Sequence, residues 1–438
     1  MEKRLKTRIK KWGINGEGIA YKNRKPIFID GALPGELVEY TLVQEKERYG
    51  LGHLEKVIES APARRDLLCV HAHTCGGCAL MHVRYKDQIK MKEQILKETL
   101  KKYAGYTRSI DRMQKNPDPL GYRNACKLPF GCKDGNLVNG FYEKGSNTFV
   151  GIDRCLIHSK ILEMTRQKIV EICNKYQCKP YHKKTKKGYR TLVLKEFDQK
   201  VQVIFVTGKE TIPVDMIKEI ESIDTICSIW QSIKLDDQVH VFGEKMIHLG
   251  LDENIQLHLD DYMIQCLPRS FFQLNTAQAI EIYRTVKDWI PKSKTLVETY
   301  SGVGAISLFC HDKAEEIIGI EMIQDAVDNA NHNAQMNDIQ NVKFICGDAA
   351  KELQQILKEK TVDILIVDPP RTGLDHAMKE NIQKSSIETI VYISCNPSTL
   401  AKDLKDLERT YEIQKIKAFD MFSQTQNIET VVLLSRVK

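Results

Sequence analysis

The chain has 438 residues, 42% hydrophobic and 28% charged, with a net charge of +7. That length exceeds one ordinary domain of roughly 100–200 residues, and the balance is that of a globular protein, which excludes a fibrous or disordered chain. No apolar run approaches the ~20 residues of a membrane span, and the basic start leads into no apolar segment, so a cytoplasmic protein with no membrane association is expected.

Residues 1–60 alternate β-formers with Gly and Pro-Gly turns, which predicts a small β-barrel. Nine Lys or Arg stand among its first 25 residues against Glu2 and Glu17, a density suited to a phosphate backbone. A cysteine-rich loop follows, then a helix over Tyr85–Tyr103 and a linker, KNPDPLGYRN. Residues 61–270 read as a mixed α/β middle domain, with strands such as CKLPFGC and QVIFVTG and helices near 159–176 and 213–222. A second basic cluster at 179–190 fits a phosphate contact and a solvated face equally well. The last unit, 271–438, becomes strictly alternating from Lys294: apolar strands and helices follow each other as in a parallel sheet covered on both faces. Its two closing strands, KIKAFDMF and ETVVLLS, are expected to pair antiparallel at an edge.

In such a sheet, ligands bind beyond the carboxyl ends of the strands. The first strand runs into Glu298-Thr-Tyr300-Ser-Gly302-Val-Gly304, the second ends in Glu321, the fourth in Asp368-Pro-Pro-Arg371 and the fifth in Ser394-Cys395-Asn396-Pro397. Glu321 stands where an acid hydrogen-bonds a ribose diol. The full dinucleotide pattern G-x-G-x-x-G is broken by Ser307. S-adenosylmethionine fits better, because its sulfonium asks for carboxylates or aromatic faces, which Asp368 and Tyr300 can supply. Cys395, just past the sheet, is placed to act as a nucleophile: a thiolate adding to C6 of uracil turns C5 into a carbon nucleophile toward the sulfonium methyl. The C5 proton must then leave, and Glu429 at the start of the final strand is the candidate base. The target base must be unpaired or flipped out.

Thirteen cysteines in a cytoplasmic chain argue against a disulfide framework. Cys173, Cys227, Cys310 and Cys346 sit in apolar runs and read as core residues. Cys69, Cys75 and Cys78, with Gly76 and Gly77 between the last two, form a loop suited to a metal. The fourth ligand is open among Cys126, Cys132 and Cys155, with His71 and His73 as competitors, and thiolates in this pattern suit either Zn²⁺ or a [4Fe–4S] cluster.

Taken together, Cys69…Cys75-x2-Cys78…Cys155, Phe272-Gln273-Leu-Asn275, Tyr300-Ser-Gly302, Asp368-Pro-Pro-Arg371, Ser394-Cys395-Asn396-Pro397 and Glu429 resemble the RNA uracil-5-methyltransferases over essentially the whole length, specifically the 23S ribosomal RNA branch with a TRAM domain and an iron–sulfur cluster. The resemblance implies a Rossmann-like class I methyltransferase domain at 271–438, an OB-like TRAM barrel at 1–60 and a cluster-bearing central domain at 61–270. It implies a [4Fe–4S] cluster on Cys69, Cys75, Cys78 and Cys155 in a structural or RNA-binding role. It also implies S-adenosylmethionine contacts at Gln273, Tyr300, Glu321 and Asp368, with Cys395 as nucleophile and Glu429 as base. The expected partner is 23S rRNA or its precursor, with no obligate protein partner; the family's tRNA branch typically lacks the TRAM domain and the cluster. Ser423 and Asn427 depart from the Pro and His common near the base. Beside a uracil-5-methyltransferase acting on tRNA, three other readings remain. A cytosine-5 RNA methyltransferase would place a second cysteine where Arg371 stands, and an amino-group methyltransferase would have Tyr there. A redox-sensing or RNA-binding iron–sulfur protein would carry an inactive catalytic domain.

Overall fold

The computed structural model describes residues 4–437; residues 1–3, with Glu2 and Lys3 of the basic run, and Lys438 lie outside the described residues. Six short strands form the N-terminal sheet in the order Leu5–Arg8, Leu37–Glu45, Gly50–Glu59, Lys25–Ile29, Gly18–Lys22, Lys11–Trp12. The two outer strands are consecutive in the chain, so the sheet curls round a small core that includes Ile9, Ile27, Ile29 and Val38. Buried Glu36 takes a two-pronged hydrogen bond from Arg64, at 2.5 and 2.8 Å, which fastens this unit to the segment that follows.

The middle sheet has seven strands, in the order Lys245–Leu251, Ile226–Ile233, Lys200–Thr207, Tyr189–Phe197, Ala125–Lys133, Asn136–Tyr142, Phe149–Gly151. Helices Lys160–Lys175 and Val214–Glu221 cover one face, where Leu162, Ile169 and Met216 pack on Leu192, Leu194 and Phe205. On the other face Val193, Ile204 and Val206 pack against Trp230, Val241, Phe242 and Met246, with no helix over them among the described residues. Strands Ile226–Ile233 and Lys245–Leu251 were not apparent from the sequence, because their polar residues Ser228, Gln231 and His248 interrupt the alternation.

The carboxy-terminal sheet is built from β1 (Ser293–Thr299), β2 (Ala314–Glu321), β3 (Val342–Cys346), β4 (Ile364–Val367), β5 (Thr389–Ser394), β6 (Tyr411–Phe419) and β7 (Glu429–Arg436). Their order is β3-β2-β1-β4-β5-β7-β6. The first five are parallel and β7 runs antiparallel between β5 and β6. As expected, β6 and β7 pair antiparallel at an edge of the sheet, with β6 outermost and β7 paired on its inner side to β5. Helices Thr276–Trp289 and Gln324–Met336 cover one face, and Ala349–Glu359, His376–Lys384 and Pro397–Leu407 the other. Cys173 and Cys310 are buried as expected, whereas Cys227 is half-buried and Cys346 exposed. No described helix is long and apolar enough to cross a membrane.

Helix Tyr85–Ala104 precedes the middle sheet in sequence yet packs on helix Pro397–Leu407, placing Ile89, Ile95 and Leu100 in the core of the carboxy-terminal sheet. It also carries Lys92, fully buried and 2.5 Å from Asp420, whose other oxygen accepts from Tyr85 and Ser423. Removing one member of a buried pair strands the other charge. Lys92→Met is therefore expected to destabilise the protein by about 3–5 kcal/mol, read as a lowered urea midpoint, with Lys92→Met/Asp420→Leu less destabilised than the single variant.

Candidate functional site

A cavity of about 870 Å³ opens at the carboxyl ends of β1, β2, β4 and β5. The parallel register aligns Thr299 with Ile320 and Val367, and Val367 with Tyr392. Whatever follows each strand therefore enters the same crevice. Gln273, Tyr300, Glu321, Asp368, Cys395 and Glu429 all line it.

The turn after β1 is shaped by conformation. Tyr300 has φ 63°, Gly302 54° and Gly304 84°, left-handed values that non-glycine residues rarely hold. A Cβ on Gly304 would meet the Phe344 ring at 2.4 Å, whereas one on Gly302 would meet nothing within 4 Å. Gly304 thus serves packing against β3, while Gly302 leaves open space beside the turn. Glu321 ties two loops together, accepting from Gly302 N at 3.0 Å and Ile323 N at 3.1 Å. A carboxylate has about four acceptor positions, so capacity for a diol remains.

Burial dominates the electrostatics. It alone pushes Asp368 up to about 7. It also raises Glu298 to about 8, against hydrogen bonds from Ser307 N and Oγ. Glu298 had no role assigned from sequence; its signal was a lone carboxylate within an apolar strand. The register Ser394↔Thr430 of β5 and β7 sets Cys395 opposite Glu429 one step outward. Glu429 is 4% exposed, and burial with the nearby Asp368 charge pushes it well above the usual carboxylate range, opposed by Arg371. Burial and Glu429 likewise raise the Cys395 thiol, while Arg371 favours the thiolate by charge and by hydrogen bond. Arg371 is thus the charge partner of the Cys395 thiol. Its carbonyl accepts from Asn396 Nδ2 at 3.0 Å, and Asn396 Oδ1 caps helix Pro397–Leu407.

The loop that leads into Glu429 is held from outside the sheet. Gln424, fully buried with φ 67°, bonds to Gln88, Arg65, Leu80 and Pro119. Such a conformation persists only when its surroundings over-determine it. Of the two departures noted near the base, Asn427 lines the cavity. Ser423 does not; it is buried between Asp420 and Asn116.

Sequence reasoning missed Tyr122, Arg123, Arg269 and Phe271, which also line the cavity. Tyr122 and Arg123 fell in a segment read as linker, although an adjacent aromatic and cation was a usable signal for nucleic acid. The cluster at 179–190 contributes nothing to the cavity; Lys183 pairs with Asp237 and Arg190 lies over Tyr181.

Cys69, Cys75, Cys78 and Cys155 line one small cavity of about 50 Å³ together with His71, and Gly77 and Arg123 border both this cavity and the large one. Cys126 is buried in its strand and Cys132 exposed, and neither reaches the small cavity, nor does His73. Burial, then the neighbouring Cys155, Cys75 and Cys69, push Cys78 up to about 12. The donors therefore converge, but among the described residues no three His, Cys, Asp or Glu side chains stand close enough to hold a metal ion.

Residues 84–437 match the tRNA (uracil-5-)-methyltransferase family. An uncharacterized RNA methyltransferase of Bacillus cereus is 34% identical, covering 98% of this chain and 96% of that protein. One of Enterococcus faecalis is also 34% identical, covering 99% and 97%. The crystal structure of Pyrococcus abyssi tRNA (uracil-54, C5)-methyltransferase in complex with S-adenosyl-L-homocysteine superposes with a TM-score of 0.79 at 26% identity, over 98% of this chain and 100% of that one. That span takes in the N-terminal sheet and the cysteine loop, so these parts do not by themselves separate an rRNA enzyme from a tRNA enzyme. The chain belongs to the tRNA (uracil-5-)-methyltransferase family and is an S-adenosylmethionine-dependent RNA methyltransferase.

Proposed function

We propose that the chain forms 5-methyluridine in RNA, with 23S rRNA or its precursor as target. The observation that carries the uridine reading is the placement of Cys395 and Glu429, one step beyond the Ser394↔Thr430 pair of β5 and β7, in one cavity with Gln273, Tyr300, Glu321 and Asp368; the choice of 23S rRNA rests on the resemblance of the sequence motifs to that branch. The Cys395 sulfur bonds to C6 of uracil, and the C5=C6 electron pair moves to C5, which takes the methyl carbon as the sulfonium–carbon bond breaks to leave S-adenosylhomocysteine. Glu429 then takes the C5 proton, the double bond re-forms and the Cys395 thiolate departs. Arg371 holds negative charge on the sulfur at both ends of the cycle.

The N-terminal 60 residues act as the TRAM RNA-binding barrel, 61–270 as the central domain and 271–438 as the catalytic domain of a cytoplasmic enzyme. The full-length likeness to the Pyrococcus abyssi enzyme favours a second reading, in which the target uridine lies in tRNA. Mapping 5-methyluridine in 23S rRNA and tRNA from cells with and without the gene decides between them. Loss confined to 23S rRNA is expected; loss confined to tRNA overturns the target, and loss from neither overturns uridine methylation.

Asp368 gives the donor site a pH signature. A permanent positive charge beside a carboxyl held up to about 7 favours its ionised form, so S-adenosylmethionine should bind more tightly as pH rises through 7. Below that point its affinity should fall by up to about tenfold per pH unit. S-adenosylhomocysteine, with a neutral sulfur, should respond less, and Asp368→Asn should abolish the difference in calorimetry.

The four cysteines at the small cavity are proposed to hold the [4Fe–4S] cluster, supported by their shared cavity and the mutual influence of their thiols. When bound, the cluster would supply a cross-link between the cysteine loop and the segment at Cys155 rather than reaction chemistry. Anaerobically purified Cys155→Ser should lose iron and visible absorbance, while Cys126→Ser keeps both; equal iron in the two variants would discard the assignment.

A further inference from the structure

Beside the large cavity lies a second chamber of about 260 Å³, and Arg123, Phe271 and Leu274 border both. Its floor is the face of the middle sheet that the helices leave bare. Lys127, Val193 and Lys195 line it, while the alternate residues Leu128, Leu192 and Leu194 pack in the core on the opposite side. Phe242 forms a wall, with Lys127 Nζ 5.7 Å from the centre of its ring.

The charge in this chamber is one-sided. Arg123, Lys127, Lys195 and Arg269 line it, and no Asp or Glu does so among the described residues. Where these cations bond within the protein they choose backbone carbonyls, which neutralise no charge. Lys195 donates to Leu267, Pro268 and Ser270, Arg269 to Gly243 and Glu244, and Arg123 to Ala125. At the shared mouth Phe271 is 67% exposed. Unopposed cations around an aromatic, partly apolar hollow call for an anion with a flat apolar body. A nucleotide has both parts: bases stack on aromatic faces and phosphates take Lys or Arg. The volume falls below the roughly 300–1,000 Å³ of a site that encloses a whole small molecule, which suits one base entering from a chain that continues outside.

We propose that this chamber receives a nucleotide flanking the target uridine, its base against Phe242 and Phe271 and its phosphate beside Lys127 and Arg123. The inference rests on the reading of the large cavity as the uridine site. Two neighbouring bases would then leave their stack together, the second supplying binding energy that offsets unstacking of the first.

The test uses the full chain and a short single-stranded RNA with one central uridine, followed by fluorescence anisotropy and by methylation. Phe242→Ala should weaken RNA binding about tenfold, the scale of one lost base stack, and Phe242→Trp, which keeps a stacking face, should restore it. Lys127→Ala should lower the slope of log affinity against log salt by about one. S-adenosylhomocysteine affinity should stay within about twofold in all three, which separates a lost subsite from a damaged fold. Unchanged RNA affinity and salt slope in both alanine variants, or no RNA binding by the unmodified protein, overturns the proposal. Methylation by the unmodified protein is scored separately: its absence alongside weaker binding by Phe242→Ala rejects the uridine reading and keeps the chamber as an RNA site.

Discussion

Cys395→Ala is expected to reduce methyl transfer to RNA on the order of 10⁴–10⁶-fold, the scale on which removal of a covalent nucleophile acts, while S-adenosylmethionine binding stays within about twofold. C5 of uracil is a poor nucleophile until C6 is saturated, so no other residue can stand in for the sulfur by polarising the ring. The thiol is not activated by default: burial and Glu429 raise it, and Arg371 is the group that opposes them. The rate at limiting substrate should therefore climb with pH as the thiolate forms. In Arg371→Leu, which removes the stabilising charge, that climb should shift to higher pH. Uridine methylation persisting at an appreciable rate in Cys395→Ala would reject the covalent route, and an unshifted profile in Arg371→Leu would reject the charge partner.

The parts legible in the sequence were those written in local pattern. The parallel strands β1 to β5 are near-continuous apolar runs because both faces of their sheet are covered, and the residues after them meet because ends in a parallel register must meet. Strand order is not local, so the insertion of β7 between β5 and β6, which buries Glu429 and sets it opposite Cys395, could not be read in advance. The same holds for helix Tyr85–Ala104, assigned by chain position to the middle unit and found on the catalytic sheet. Cys126 and Cys155 were equivalent candidates by spacing; burial in a strand separates them. Arg123 and Phe271 fell in stretches without periodicity, where pattern carries no information and only assembly reveals a wall.

Glu429→Gln is expected to separate the two halves of the reaction. Glutamine keeps the shape and hydrogen-bonding reach of the carboxylate but cannot take a proton, so attack by Cys395 and methyl transfer should proceed while elimination stalls. The consequence is a methylated protein–RNA adduct that survives denaturing electrophoresis, with one labelled methyl group per chain. Steady-state turnover should drop about 10²–10⁴-fold, the scale of general-base removal. The raised proton affinity of Glu429 is consistent with the task, since a carboxylate disfavoured by burial and by Asp368 is a stronger base once it is ionised. The substitution also removes an ionisable group from a site where burial and Asp368 disfavour its charge. The unfolding midpoint of Glu429→Gln should therefore not fall, and slow turnover cannot be assigned to a weakened fold. Undiminished turnover without adduct would remove Glu429 from the proton path. Adduct formation in Cys395→Ala/Glu429→Gln would place the nucleophile elsewhere, so the double variant tests the sulfur and the carboxylate as one device.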